Sequence, residues 1–179
     1  GQWQGPVRFA AGRGPLAVML EPHSLRLRLD GDRAGTLAFV FEGANVDVAL
    51  AGETQRPGVL NFISGTSASA WRLNVPSFDS VLYRRMYDGI DVRVRNVPQH
   101  FEYDLLVAPD AEVRQVVVRV DGATSLSLTP DGGLIVETAA GAMRQTPPAT
   151  LEQLPDRTLR PLASVFRILD GNRYGFAVQ

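Results

Sequence analysis

The stretch Tyr87-Asp88-Gly89-Ile90-Asp91-Val92-Arg93-Val94-Arg95, followed by Asn96-Val97-Pro98-Gln99 and then His100-Phe101-Glu102-Tyr103-Asp104-Leu105-Leu106-Val107, decides the fold class. Ile90, Val92 and Val94 alternate with Asp91, Arg93 and Arg95. Phe101, Tyr103 and Leu105 alternate with His100, Glu102 and Asp104. Two period-2 runs around a short loop predict a β-hairpin with one apolar and one polar face. Pairing Arg95 with His100 sets Val94 opposite Phe101, Val92 opposite Tyr103 and Ile90 opposite Leu105. A slip of one residue mixes the faces and is disfavoured. On the polar face this register puts Arg93 opposite Glu102 and Asp91 opposite Asp104. Two facing carboxylates repel unless an arginine, a cation or a shared proton intervenes.

Working outward, the same pattern recurs. Leu25, Leu27 and Leu29 alternate with Arg26 and Arg28, as a half-buried strand requires. Strands are expected at Leu16 to Leu20, Thr36 to Glu42, Asn45 to Leu50, Ser80 to Met86 and Gln115 to Val120, with residues 51 to 58 as a polar loop and Leu154 to Pro161 as a second one. Asp131-Gly132-Gly133 and Asp170-Gly171-Asn172 mark further hairpins. No segment keeps a helical period for three turns, and turn signals recur at the spacing of antiparallel sandwiches and barrels. The expectation is an all-β antiparallel sandwich of about 12–15 short strands. Residues 1–179 are taken as one domain, with an internal corner near 108–114. Trp71, at the end of the small-residue turn 64–70, is expected to be buried and to anchor that turn.

Composition narrows the chemistry. The 18 basic residues are all arginine, and the net charge is −1. Without lysine there is no Schiff-base, P-loop or isopeptide chemistry, and without cysteine no disulfide, thiolate metal site or thiol nucleophile. A near-neutral chain does not carry the footprint of a nucleic-acid binder. No apolar run is long enough to cross a bilayer as a helix, so no membrane insertion is expected. Gly65-Thr66-Ser67-Ala68-Ser69 approaches a nucleophile elbow but lacks its final glycine. His23 and His100 have no metal-ligand spacing.

Asp88, Asp91, Glu102 and Asp104, with Tyr87 beside them, form the dense candidate site. Three readings of it stand. It is a surface held by salt bridges to Arg84, Arg85, Arg93 or Arg95. It is a calcium site with Asp91 and Asp104 as oxygen ligands. Or it is a pair of carboxylates for glycoside hydrolysis, one with a raised pKa. Trp3, Trp71, Tyr83, Tyr87 and Tyr174 are the aromatics for a sugar-stacking strip, or else core.

Several segments carry a family resemblance: Val7-Arg8-Phe9, Leu60-Asn61-Phe62-Ile63-Ser64-Gly65, Trp71-Arg72-Leu73-Asn74-Val75-Pro76, Tyr87-Asp88-Gly89-Ile90-Asp91, Phe101-Glu102-Tyr103-Asp104-Leu105-Leu106-Val107-Ala108-Pro109 and Met143-Arg144-Gln145-Thr146-Pro147-Pro148. In this order they resemble the N-terminal β-rich domain found ahead of SBBP-type β-propeller repeats in large bacterial secreted or cell-surface proteins. The chain departs from that pattern at Asp88, where the family tends to have proline, and near Arg93-Val94, where it tends to have a Tyr-Tyr pair. The resemblance implies an exported multi-domain parent, with a leader removed ahead of Gly1, and no catalytic residue. The resulting expectation is a monomeric, non-catalytic extracellular adhesion or scaffold module. Its partners are neighbouring domains of a longer chain, or a glycan or other surface ligand. It needs no cofactor beyond a possible structural calcium. A carbohydrate-binding module is the alternative, and a hydrolase built on the acidic cluster the third reading.

Overall fold

A computed structural model describes residues 5–13, 16–29, 35–63, 65–97 and 100–179. Trp3, Pro98 and Gln99 lie outside them. Strand takes up 64% of the chain and helix 3%, and every strand pair is antiparallel, so the fold is the expected all-β sandwich. Eighteen strands are described, more than the 12–15 expected, because short two-stranded ribbons add to the two main sheets.

In chain order the strands are β1 (Phe9–Arg13), β2 (Leu16–Glu21), β3 (Ser24–Leu29), β4 (Gly35–Glu42), β5 (Ala49–Gln55), β6 (Leu60–Phe62), β7 (Arg72–Val75), β8 (Phe78–Tyr87) and β9 (Ile90–Val97). Then come β10 (His100–Val107), β11 (Val117–Asp121), β12 (Ala123–Leu128), β13 (Leu134–Thr138), β14 (Gly141–Gln145), β15 (Thr150–Gln153), β16 (Leu159–Leu162), β17 (Ser164–Ile168) and β18 (Arg173–Val178). Single 3-10 turns at Ala68–Ala70 and Val113–Gln115 are the described helical elements. A seven-stranded sheet runs β1-β2-β3-β4-β11-β18-β17, and a four-stranded sheet runs β10-β9-β8-β5. β12-β13-β14 form a third sheet, and β6-β7 and β15-β16 are two-stranded ribbons. Between β10 and β11 the chain passes from the four-stranded to the seven-stranded sheet.

One apolar cluster fills the space between the layers. Phe39, Phe41, Val118, Val120, Phe166, Tyr174 and Phe176 come from the large sheet, and Val81, Tyr83, Ile90, Val92 and Val94 from the smaller one. Leu134 and Val136 of β13 join them. The alternation read from sequence is what delivers these side chains to one side. Ile90, Val92 and Val94 are buried, while Asp91, Arg93 and Arg95 between them are only partly so.

The hairpin register is corrected. Val97 pairs with His100, Tyr103 with Val94, and Leu105 with Val92. This is a shift of two residues from the register argued above. A two-residue shift keeps every side chain on its face, so the face argument cannot detect it. It shortens the connection to two residues and changes the polar pairs. Arg93 now faces Asp104, Arg95 faces Glu102, and Asp91 faces Leu106. The like-charge pair disappears, and the one opposite-charge pair of the expected register becomes two, each worth a few tenths to about 1 kcal/mol.

Three further expectations change. The strand expected at 45–50 begins at Ala49 and runs into the presumed loop as far as Gln55. Gly52 is tolerated mid-strand because the ring of Phe78 lies over it. A Cβ there would stand 2.4 Å from that ring, so the aromatic supplies the packing that the glycine lacks. Part of the presumed loop at 154–161 is β16, which pairs with β15. Trp71 is half-buried rather than buried, and its indole Nε1 donates to the carbonyl of Gly65 at 3.3 Å. It braces the turn from the surface, outside the core cluster.

The chain has four tyrosines, and each carries its hydroxyl across to another sheet. Tyr83 of β8 donates to the carbonyl of Ser24 at 3.3 Å. Tyr87 donates to the carbonyls of Glu42, at 2.9 Å, and Val117, at 3.3 Å. Tyr103 of β10 and Tyr174 of β18 share a hydrogen bond of 2.9 Å. Gln145 of β14 closes the set: its Nε2 donates to Tyr174 at 3.2 Å, and its Oε1 accepts from Tyr103 at 3.3 Å. The ring is consistent when Tyr174 donates to Tyr103. Burial pushes the Tyr174 phenol up to about 12 and raises Tyr83, Tyr87 and Tyr103 as well, so all four stay neutral donors.

Tyr103→Phe or Tyr174→Phe should each lower stability by about 1–3 kcal/mol, since each leaves the other members of the ring without a partner. The double variant should cost clearly less than the sum. Urea unfolding of the four-member cycle checks this. Additivity within about 0.5 kcal/mol would show that the ring does not act as a unit.

Candidate functional site

The candidate residues from sequence divide between two places. Asp88 lies in the tight turn that joins β8 to β9, and Asp91 is the second residue of β9. Arg85 has a left-handed backbone, φ 56°, within a stretch of β8 where the register against β9 shifts. A side chain there is strained. The Asp91 carboxylate accepts the exposed Arg85 amide at 2.7 Å and so caps that irregularity. Asn45 holds the other side, with Nδ2 donating to the Arg85 carbonyl at 3.0 Å and to Asp88 Oδ1 at 3.3 Å. The Asp88 carbonyl accepts from Gln115 at 3.0 Å. Gly89 follows at φ 72°, and a Cβ there would lie 2.7 Å from that of Ala111. Both the backbone and the space therefore require glycine.

Glu102 and Asp104 lie on the outer face of the four-stranded sheet, and Arg95 joins them. Its Nη2 donates to Glu102 at 2.9 Å and to Asp104 at 3.0 Å. Its Nε lies 2.8 Å from Asp104 Oδ2, an ion-pair contact whose angle falls outside hydrogen-bond geometry. His100 Nε2 lies 2.8 Å from the second oxygen of Glu102. Farther along the face, Arg93 donates to Glu53 at 2.7 Å and Ser80 to the same carboxylate at 2.8 Å. The Arg93 bond holds the Glu53 carboxyl below the usual glutamate range, against the effect of burial. Leu82 points to this polar side yet is buried; it faces Ala51 of β5 and Arg93 of β9 across the sheet. Long arginine stems cover apolar surface in this way while their heads stay wet.

Tyr87 sits in the core, with its hydroxyl committed to two carbonyls. Tyr83 and Tyr174 are also core residues. Among the described residues, no three His, Asp or Glu side chains gather as metal ligands.

The structure adds a charged site that sequence reasoning missed. Arg119, Val120, Asp121, Gly122, Asn172 and Arg173 line an open depression of about 340 Å³ at one end of the large sheet. Glu42 bridges its two guanidiniums, with Arg119 and Arg173 each at 2.7 Å. Arg119 also holds Asp121 at 2.7 Å. Hydrogen bonds from Arg173 and Arg119 lower the Glu42 carboxyl, and Arg119 lowers Asp121. The positive and negative groups balance, and each guanidinium is already matched to a carboxylate. Glu42, Arg119 and Arg173 are far apart in the chain and meet only because β11 lies between β4 and β18. No local motif announces that.

With Arg95 supplying the counter-charge, added calcium should leave the melting temperature unchanged. Arg95→Ala should lower stability by about 1 kcal/mol, the upper range for an exposed pair, by leaving Glu102 and Asp104 side by side. Thermal melts with calcium and with chelator check both. A rise with calcium that Asp104→Asn abolishes would instead make this face a metal site.

No curated protein and no solved structure matches the chain. One family covers residues 1–179 from end to end, described only as a domain of unknown function. The chain belongs to that family, DUF7948.

Proposed function

We propose that the chain is a non-catalytic extracellular module, an adhesion or scaffold domain of a multi-domain bacterial surface protein. One observation carries the non-catalytic part. Every carboxylate of the candidate cluster is engaged in holding the fold: Glu102 and Asp104 share the Arg95 guanidinium, Asp91 caps the Arg85 amide, and Asp88 accepts from Asn45. A general acid for glycoside hydrolysis is instead held away from such counter-charges.

The extracellular and multi-domain parts rest on the resemblance of the quoted segments to domains placed ahead of SBBP-type repeats. The carbohydrate-binding alternative loses its strip, because Tyr83, Tyr87 and Tyr174 are enclosed.

Two measurements test the proposal. A panel of chromogenic glycosides, esters and peptides should show no turnover beyond that of the Glu102→Gln, Asp104→Asn double variant. Turnover lost in that variant would overturn the non-catalytic reading. Antibodies against the folded chain should label intact cells of the source bacterium; labelling only after lysis would overturn the surface assignment.

A further inference from the structure

The β6–β7 ribbon continues the β5–β8 pair. Gln55 pairs with Phe78, the Arg56 amide donates to the Ser77 carbonyl at 2.8 Å, and Leu60 then pairs with Val75. The result is a two-stranded arm whose last pair is Phe62 with Arg72. Among the described residues nothing covers its apolar side chains. Val59, Leu60, Phe62, Ile63 and Leu73 are between 41% and 65% exposed. A two-stranded ribbon alone is marginal in water, and this one leaves β6 as an open edge. The outer strands of the two main sheets carry charge, with Glu102 and Asp104 on β10, Glu53 on β5 and Arg167 on β17, and the uncharged outer strand β12 is rich in threonine and serine. Val59-Leu60-Asn61-Phe62-Ile63 has no charge and no proline, which is the pattern of an edge that pairs.

The geometry points to a second copy of this chain as the occupant, docked through β6 in an antiparallel pair about a two-fold axis. Charge selects it. Residues 54–78 carry two arginines and no carboxylate. Arg56 is paired with Asp79 at 2.6 Å, and Arg72 Nη1 is bonded to the carbonyls of Ser69 and Trp71. Such an edge offers little for a charged partner to recognise and does not repel itself. An antiparallel pair of identical strands is symmetric by construction. Centred on Asn61, it sets Leu60 against Phe62 and Val59 against Ile63 of the other copy. The Asn61 side chain stays engaged within its own arm, accepting the Asn74 amide at 2.9 Å. Full burial of the exposed parts of the five side chains would contribute on the order of 400–500 Å² per copy. Two copies then offer about 800–1,000 Å², the size of a weak, transient dimer. The pairing joins two ribbons into one four-stranded sheet.

Sedimentation velocity on residues 1–179 across the micromolar range tests the proposal, with hydrogen exchange as a second readout. The wild-type chain should dimerise, and amide exchange over 59–63 should slow as the concentration rises. Leu60→Lys and Phe62→Lys, at exposed positions that leave the core intact, should each weaken the dimer about tenfold or more. Leu151→Lys, an equally exposed change on the β15–β16 ribbon, should dimerise like wild type. A chain that stays monomeric at high micromolar concentration would overturn the proposal. So would a dimer that survives both β6 variants, or one that Leu151→Lys disrupts equally.

Discussion

The hydroxyls of Tyr83, Tyr87, Tyr103 and Tyr174 set the distance and the registration between the sheets. Each ring is packed with apolar neighbours, and each oxygen reaches a specific carbonyl, amide or phenol on another layer. Apolar side chains alone tolerate sliding, because dispersion and burial have no direction. A buried hydroxyl does not tolerate it, since an unmet donor costs about 1–3 kcal/mol. With no disulfide and no described metal site, these bonds do the positional work that a covalent staple does in small disulfide-rich domains. Tyr174 also stacks edge-on against Phe166 and Phe176, so the same residue that registers the sheets closes the last hairpin.

The outer surfaces follow a second rule, in which arginine takes every role that lysine shares elsewhere. Arg95 spans Glu102 and Asp104, and Arg119 spans Glu42 and Asp121. A planar fork can hold two carboxylates at once, which a point charge does less well. Each exposed pair contributes little alone. Arranged across strands, the pairs favour the observed neighbours and penalise shifted ones.

Much of this was legible and some was not, for identifiable reasons. Period-2 alternation placed Ile90, Val92 and Val94 in the core and Asp91, Arg93 and Arg95 outside. The turn residues Asp131-Gly132 and Asp170-Gly171 located two hairpins. The same periodicity hid the true register of β9 against β10, because registers two residues apart are equivalent by face. The left-handed backbone at Arg85 gave no sign in sequence, so Asp91 read as a candidate ligand although it caps an amide. Gly52 and the polar residues around it read as loop because the covering ring, Phe78, lies 26 positions away. Glu42, Arg119 and Arg173 meet through strand order, which local pattern does not encode.

The continuity of the β5–β8 pair with the β6–β7 ribbon has a mechanical meaning. A load applied at the tip near Trp71 passes through the bend at Pro57-Gly58, where the Arg56–Ser77 bond holds the two chains together, into the paired strands Ala49–Gln55 and Phe78–Tyr87. Tension along that axis enters the four-stranded sheet through its edge strand β5 and its inner strand β8 together. Tyr83 and Tyr87 of β8 then hand it to the large sheet. The arm is a lever anchored in the tyrosine-bonded core. Its resistance to pulling is set by how fast that core opens, not by its equilibrium stability.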